Sequence, residues 1–148
     1  VVASMQPPHP PGAMDFPLLP WVSRVGEHRW PWAFPVQYLR EAGVPIAFAS
    51  DWPVSDINPM RGVKAAVTRQ SWKEGFPNHS SKLEEAIYCY TSGGAYAGFD
   101  EKRLGILKAG LLADVVVMDK DLEALDAADL DNARSTLTIC DGEITWEV

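Results

Sequence analysis

Two short apolar runs, each followed at once by polar residues and proline, constrain the fold of this chain most strongly. Residues 1–5 (VVASM) lead into QPPHPPG, and residues 45–49 (PIAFA) lead into SDWP. A continuous apolar run of this length is typical of a buried strand. Residues 34–42, between the two runs, predict a helix, because Pro35 suits a first helical turn and Gly43 suits the position after a helix end. The order strand, helix, strand predicts an α/β fold with parallel strands.

Two further helices are predicted after the second strand. The NP dipeptide at residues 58–59 is typical of an N-cap and first helical position, and helical apolar spacing continues to about Gln70. Residues 81–84 (SKLE) match a capping box, and the glycine pair at 93–94 would loosen the far end of the helix that follows. Residues 13–35, rich in proline and tryptophan, show no sustained helical or strand period and predict a long loop, in which one turn of helix could form.

The end of the sequence predicts a small β unit. Residues 104–113 form a turn region punctuated by glycine, and residues 115–118 (VVVM) form a continuous apolar strand. Residues 119–131 are acidic and predict a linker or a short helix. Residues 137–148 alternate apolar and polar side chains about the DG dipeptide at 141–142, which is typical of a type I′ hairpin.

Composition excludes several classes of function. The 13 Lys and Arg residues against 20 Asp and Glu residues give a net charge of −7. Nucleic-acid and anionic-membrane surfaces need clustered positive charge, so neither partner is expected. No apolar run reaches the length of about 18 residues that a membrane span needs. Cys89 and Cys140 lack motif spacing and are interpreted as small buried hydrophobes in a reducing compartment, which favours a cytoplasmic protein.

Candidate functional residues follow the two apolar strands. In parallel α/β folds, the loops after the carboxyl ends of the strands line the active site. Gln6 and His9 follow the first strand, and Asp51 follows the second, where its carboxylate could ligate a cation or act as a general base. From composition alone, a turn or cap is the commoner role for such an Asp, and a packed loop position is the commoner one for His9. His28 and His79 have no partner at ligand spacing and are assigned structural roles.

Four motifs in this order carry a resemblance to a known family. They are ASMQPPH at residues 3–9, AFASDWPV at 47–54, AAVTR at 65–69 and LGILKAGLLADVVV at 104–117. Together they resemble the C-terminal part of the amidohydrolase superfamily, specifically family 3, the YtcJ-like branch that is similar to N-substituted formamide deformylases. Many amidohydrolases share the last motif, whereas the QPxH and SDWPV elements are more particular to this branch.

The resemblance implies the C-terminal portion of a metal-dependent hydrolase acting on carbon–nitrogen bonds other than peptide bonds. Residues 1–103 would supply the last β/α units of a (β/α)₈ TIM barrel, and residues 104–148 the returning strands of a composite β-sandwich domain. Asp51 matches the family's aspartate after the eighth barrel strand, which ligates the metal and shuttles a proton. The resemblance also implies a divalent metal cofactor, with Zn²⁺ expected, as one or two ions.

The other candidate site residues would contact a small-molecule substrate of the amide type. We assign Gln6 and His9 to substrate or oxyanion contacts, with metal ligation by His9 left open. Trp52 would form part of the pocket wall, although the burial of aromatic surface is the alternative role for any tryptophan.

The histidine content limits this expectation. The chain has three histidines and no HxH pair, whereas a catalytic zinc site ordinarily takes three protein ligands and an open position. We therefore expect a segment of a longer enzyme that is inactive alone and pairs with the missing N-terminal part, with homo-oligomer formation left open. The alternative is a truncated, non-catalytic α/β binding or assembly module of amidohydrolase ancestry.

Overall fold

The computed structural model describes residues 1–148, whose strands form two separate sheets. Strands β1 (Ala3–Met5) and β2 (Ile46–Phe48) pair in parallel, with Ala3 opposite Ile46 and Met5 opposite Phe48. The other sheet consists of β3 (Val115–Met118), β4 (Ser135–Cys140) and β5 (Glu143–Glu147). It is antiparallel, and its strands lie in the order β3-β4-β5. The predicted mixed α/β class is confirmed, and so is the parallel pairing of the first two strands.

Helices occupy most of the chain between the two sheets. The α-helices are α1 (Leu18–Val25), α2 (Val36–Glu41), α3 (Pro59–Thr68), α4 (Leu83–Tyr90) and α5 (Ser92–Ala97), and 3-10 helices cover Glu27–Trp32 and Ala127–Asn132. The second 3-10 helix lies in the acidic segment for which a linker or short helix was expected. None of the helices combines the length and the apolar character needed to cross a bilayer.

The prediction of a long loop over residues 13–35 is wrong, because this segment contains α1 and a 3-10 helix. Proline made the segment look like a loop, but Pro17 is the N-cap of α1 and Pro20 lies in its first turn. The N–H groups of a first turn have no intrahelical acceptor, so proline costs no hydrogen bond there. Gly26, with φ of 84°, ends α1 in a conformation that glycine adopts without strain.

The helix starts were predicted with mixed success. Asn58 is confirmed as the N-cap of α3, since its Oδ1 accepts a hydrogen bond from the Met60 amide at 3.0 Å. The cap of α4 is one residue later than expected, because Lys82 is the N-cap and Glu85 Oε2 accepts from the Lys82 amide at 2.9 Å. Ser81 is instead held by α3 and α2: its amide donates to Ala66 O, and its hydroxyl accepts from the Arg40 guanidinium.

The glycine pair after α4 does not loosen the chain as expected but forms part of α5. Gly93 is buried where α5 meets β2, and a Cβ added there would lie 2.2 Å from the carbonyl oxygen of Ile46. A residue without a side chain is therefore needed for this close approach of helix to strand.

The hairpin prediction is confirmed, because Asp141 and Gly142 join β4 to β5 with φ of 50° and 82°. Type I′ turns require positive φ at both central residues.

The core lies between the parallel strands and the helices that follow them. Strand β2 is buried throughout, and a cluster of buried apolar residues surrounds it. Strand β1 pairs with β2 alone and is half exposed, so it is less buried than its apolar sequence predicted. The cluster comprises Val36, Ile46, Phe48, Met60, Val63, Ala66, Ala86, Cys89, Leu130 and Ala133.

Both cysteines are free. Cys89 is buried, as expected, but Cys140 is exposed, which corrects that part of the prediction. Cys140 is the last residue of β4, immediately before the hairpin turn, and both β5 and this end of β4 are exposed.

Candidate active site

The carboxyl ends of β1 and β2 meet at one edge of the parallel sheet. The Ala49 amide donates to the carbonyl oxygen of Met5 at 3.0 Å, so the parallel pairing continues one residue beyond β2. Gln6 and Asp51 therefore leave the sheet at the same edge, in two neighbouring loops. This is the edge at which active sites form in parallel α/β folds.

Asp51 lies in a tight turn directly after β2. Its φ is 56°, a left-handed conformation that aspartate tolerates better than most residues, and its side chain is exposed. The turn is closed by the Val54 amide, which donates to Asp51 O at 2.8 Å, and by the Trp52 amide, which donates to Ser50 Oγ at 3.2 Å. Asp51 thus forms the turn through its backbone, which leaves its exposed carboxylate open to solvent or a ligand.

Trp52 is the next residue and is 64% exposed. Its indole is therefore not buried in the core, which was the alternative role for this residue.

His9 and Gln6 lie in the loop that follows β1. The His9 amide donates to Gln6 O at 3.0 Å, and the His9 ring packs edge-on against Phe16 with ring centroids 5.2 Å apart. His9 Nε2 is buried without a hydrogen-bond partner. Gln6 Nε2 lies 3.5 Å from Ser4 Oγ. The side-chain hydrogen bond of Gln6 and the ring contact of His9 thus both lie within β1 and the segment after it.

Two buried polar side chains that were not predicted as site residues lie behind the strand ends. Arg69 is 8% exposed, and burial lowers its pKa to about 10, so the guanidinium stays protonated at neutral pH. His79 is 3% exposed, and its Nε2 lies 2.9 Å from Pro31 O. A carbonyl oxygen only accepts, so Nε2 carries the proton, and Nδ1 is left buried without a partner.

The pKa of His79 is lowered, first by burial and then by the nearby Arg69 charge, against the opposing effects of the Pro31 carbonyl and Glu41. His79 therefore has the structural role that was expected of it. Arg69 belongs to the AAVTR motif, but nothing in the periodicity of α3 indicated that its side chain is buried.

Arg69 and His79 line a small cavity under the strand ends. Met5 and Phe48, the last residues of β1 and β2, line it too, together with Gln6. Its volume of about 10 Å³ leaves room for one water molecule at most. The cavity is therefore too small to hold a substrate, and the side chains around it pack beneath the strand ends.

The residues present fit a metal ion only in part. Asp51 offers a carboxylate oxygen at the strand end, and His9 offers an imidazole in the neighbouring loop. No group of three or more His, Cys, Asp or Glu side chains is arranged to hold a metal. The residues of this chain alone therefore do not complete a metal site.

The sequence matches a known enzyme family along nearly its whole length. A family model described as "Amidohydrolase family" matches residues 1–146. The chain belongs to this family.

Similarity to individual proteins agrees with this family assignment. The chain is 34% identical over 140 residues to "Putative amidohydrolase YtcJ" of Bacillus subtilis (strain 168), a match that covers 91% of this chain and 26% of that protein. It is 28% identical over 116 residues to "N-substituted formamide deformylase" of Arthrobacter pascens, covering 77% of this chain and 21% of that protein. The chain thus spans about a quarter of the length of these relatives.

Solved structures show the same relationship. An uncharacterized metal-dependent hydrolase from Pyrococcus furiosus matches with a TM-score of 0.60 and 31% identity, over 75% of this chain and 22% of that one. An amidohydrolase from Thermotoga maritima MSB8 matches with a TM-score of 0.58 and 21% identity, over 76% of this chain and 26% of that one. The second likeness is one of fold alone.

Proposed function

We propose that this chain is part of a metal-dependent amidohydrolase that hydrolyses carbon–nitrogen bonds other than peptide bonds, with Asp51 as metal ligand and proton shuttle. One observation carries the proposal: a chain of the amidohydrolase family presents an exposed carboxylate in a left-handed turn at the end of a buried parallel strand. Backbone strain of this kind concentrates at functional sites. One relative is described as a putative amidohydrolase, another as an N-substituted formamide deformylase, and one solved structure as a metal-dependent hydrolase.

The proposed architecture divides the chain into two parts. Residues 1–103 would form the last β/α units of a (β/α)₈ TIM barrel, with β1 and β2 as neighbouring barrel strands. Residues 104–148 would form strands of a composite β-sandwich domain. The parallel register of β1 and β2 and the antiparallel order β3-β4-β5 support this division. A barrel of this type needs about 250 residues, so the remaining strands and ligands would come from a longer polypeptide.

The proposed chemistry assigns two successive tasks to the Asp51 carboxylate. A divalent metal at this site, for which we propose Zn²⁺ as one or two ions, would lower the pKa of a bound water to about 7. Asp51 accepts a proton from the attacking water as the new carbon–oxygen bond forms. It then returns this proton to the leaving nitrogen as the carbon–nitrogen bond breaks, because an amine leaves far more readily when protonated.

The loop after β1 would contribute contacts to the amide-type substrate. His9 Nε2 is buried without a partner, which supports a role for this imidazole in contacting substrate or, as the lesser alternative, metal. Gln6 could donate a hydrogen bond from its side-chain amide. Trp52 is exposed beside Asp51 and would form part of the pocket wall.

The proposed compartment is the cytoplasm, and the proposed partner is a small molecule. Two free cysteines, one of them exposed, support a reducing environment. The net charge of −7 gives no support to a nucleic-acid partner.

The test is Asp51→Asn in the full-length protein, with Asp100→Asn as the matched control. Asp100 is also a carboxylate outside the helices and strands, but it follows α5 and pairs with Arg103. Asparagine tolerates the left-handed backbone of residue 51, so the fold is retained. We expect amide hydrolysis to fall by about 10²- to 10⁴-fold, with a lower metal content by mass spectrometry, while Asp100→Asn behaves as wild type.

Retained turnover in a folded Asp51→Asn protein would overturn the proposed mechanism. A full-length wild-type protein that holds no metal and hydrolyses no amide would favour the non-catalytic module.

A further inference from the structure

Side chains from the connection between α3 and α4 hold the residues that follow the candidate site on β1. We name residues 10–34, the connection after β1 that includes α1 and the first 3-10 helix, the aromatic loop. Trp72 Nε1 donates to Pro11 O at 2.9 Å, near the start of the aromatic loop. His79 Nε2 donates to Pro31 O at 2.9 Å, near its end. Arg69 donates to the last two carbonyl oxygens of the loop, so three side chains fasten it at both ends.

Arg69 binds two backbone carbonyl groups of the aromatic loop at once. Its Nη1 donates to Phe34 O at 2.7 Å, and its Nη2 donates to Ala33 O at 2.9 Å. The carbon of the guanidinium lies 5.9 Å from the centre of the Phe34 ring and 5.6 Å from that of Trp72. A buried cation is costly unless polar atoms compensate it. Here two carbonyl oxygens and two aromatic rings compensate part of the cost, and Nε is left without a hydrogen-bond partner. The planar guanidinium reaches two adjacent carbonyls at once, which the single ammonium of lysine cannot reproduce.

The backbone that Arg69 holds is strained. Phe34 has φ of 49°, an uncommon conformation for a bulky residue. The two carbonyls bound by Arg69 belong to Phe34 and to the residue before it. Strained backbone persists only where its surroundings fix it, and the two hydrogen bonds from Arg69 do this.

The strained turn lies against the ends of the two parallel strands. Phe34 and Arg69 line the same small cavity as Met5 and Phe48, the last residues of β1 and β2. Phe48 precedes Asp51 by three residues, and the aromatic loop begins directly after His9. A shift of the turn at Phe34 would therefore alter the border of the candidate site near Asp51 and near His9.

We propose that Arg69 is a positioning residue of the candidate site, which holds the aromatic loop against the strand ends and so sets the size of substrate that reaches Asp51. This inference rests on the proposed function, since it is the amide substrate that the loop would border. Arg69 itself touches neither substrate nor metal.

The experiment uses the full-length protein with Arg69→Lys and Arg69→Met, and with Arg103→Lys as the matched control, because Arg103 is exposed and pairs only with Asp100. Hydrogen exchange is measured by mass spectrometry over the aromatic loop and over α4. The kinetic constants kcat and KM are measured for two amides that differ in bulk, N-methylformamide and N-cyclohexylformamide.

We expect faster exchange in the aromatic loop of Arg69→Lys, with α4 unchanged. KM for the bulky amide should change by about tenfold, equivalent to about 1.4 kcal/mol, while kcat and KM for the small amide stay near wild type. A purely structural role would instead lower activity on both amides together and speed exchange throughout the protein. That result, or unchanged exchange in the loop, would overturn the proposal.

The exchange data test the anchoring of the aromatic loop by Arg69 separately from the proposed function. If wild-type protein hydrolyses neither amide, the proposed function fails for this substrate class, and so does the role of Arg69 in substrate selection. The exchange data then still decide whether Arg69 anchors the loop. If Arg69→Met does not fold, Arg69→Lys provides the test, because it keeps the charge and one donor nitrogen.

Discussion

Nη2 of Arg61 lies 3.0 Å from Oδ1 of Asp15, which ties the first turn of α3 to the aromatic loop after β1. The other end of the same guanidinium donates to Asp56 Oδ2 at 2.9 Å, in the loop after β2. Arg61 thus bridges the aromatic loop, which follows His9, and the loop that carries Asp51. The pKa of Asp56 is lowered, first by the hydrogen bond from the Asn58 amide and then by Arg61, which keeps this carboxylate charged at neutral pH.

The bridge predicts that Arg61→Gln weakens the coupling between the loops more than it weakens the whole fold. These charges are partly exposed, so the pair with Asp15 contributes only about 0.2–1 kcal/mol, and less at high salt. Urea unfolding of the wild type, Arg61→Gln, Asp15→Asn and the double variant, at low and at high salt, completes a double-mutant cycle that measures the coupling free energy of this pair. A coupling free energy of zero at low salt would show that the two groups meet without stabilising each other.

The left-handed backbone of Asp51 predicts that this residue is kept at some cost in stability. A left-handed conformation costs an L-residue about 1–2 kcal/mol, whereas glycine adopts it freely but loses about 0.5–1 kcal/mol more in chain entropy. Asp51→Gly should therefore unfold at the same urea concentration as wild type or a higher one, while it loses metal and turnover. A clear loss of stability in Asp51→Gly would show that the carboxylate is a structural turn or cap group.

Local patterns predicted the parts of the fold that depend on neighbouring residues. The Asn58 cap, the buried strand β2 and the hairpin at Asp141 all follow from rules that act within a few residues. The same rules failed for α1, because proline near a helix start reads as a loop signal until the helix frame is known. They also placed the cap of α4 one residue early, since tertiary bonds to Ala66 and Arg40 hold Ser81 elsewhere.

The candidate site likewise contains residues that the sequence indicated and one that it did not. Asp51 was predicted as a site residue from its place after an apolar strand, and in the structure it follows β2 at the edge that it shares with Gln6. Arg69 could not be found in this way, because its carbonyl partners lie 35 and 36 residues away in sequence. Long-range contacts of this kind leave no periodic pattern.

His79 predicts a fall in stability on acidification. Its folded-state pKa lies below the unfolded value of about 6.5, so the folded protein resists protonation and the unfolded chain accepts it. The stability from neutral His79 is therefore complete above about pH 6.5 and is lost as the pH falls through the lowered folded-state pKa. Urea unfolding from pH 7.5 to 5 should show this loss in wild type and in His28→Gln, whose histidine is exposed. His79→Gln should show a flatter pH dependence, and an unchanged one would exclude His79 as the titrating group.

The contact of α5 with β2 predicts opposite effects for two adjacent glycines. Gly93→Ala would place a Cβ 2.2 Å from the Ile46 carbonyl oxygen, which is backbone and cannot rotate away. Overpacking of this kind costs about 1–3 kcal/mol, and here it displaces the strand that leads to Asp51. Gly94→Ala meets nothing within 4 Å and should stabilise the helix by about 0.5–1 kcal/mol. Thermal unfolding of both variants measures the difference, and equal stabilities would contradict the close packing of α5 on β2.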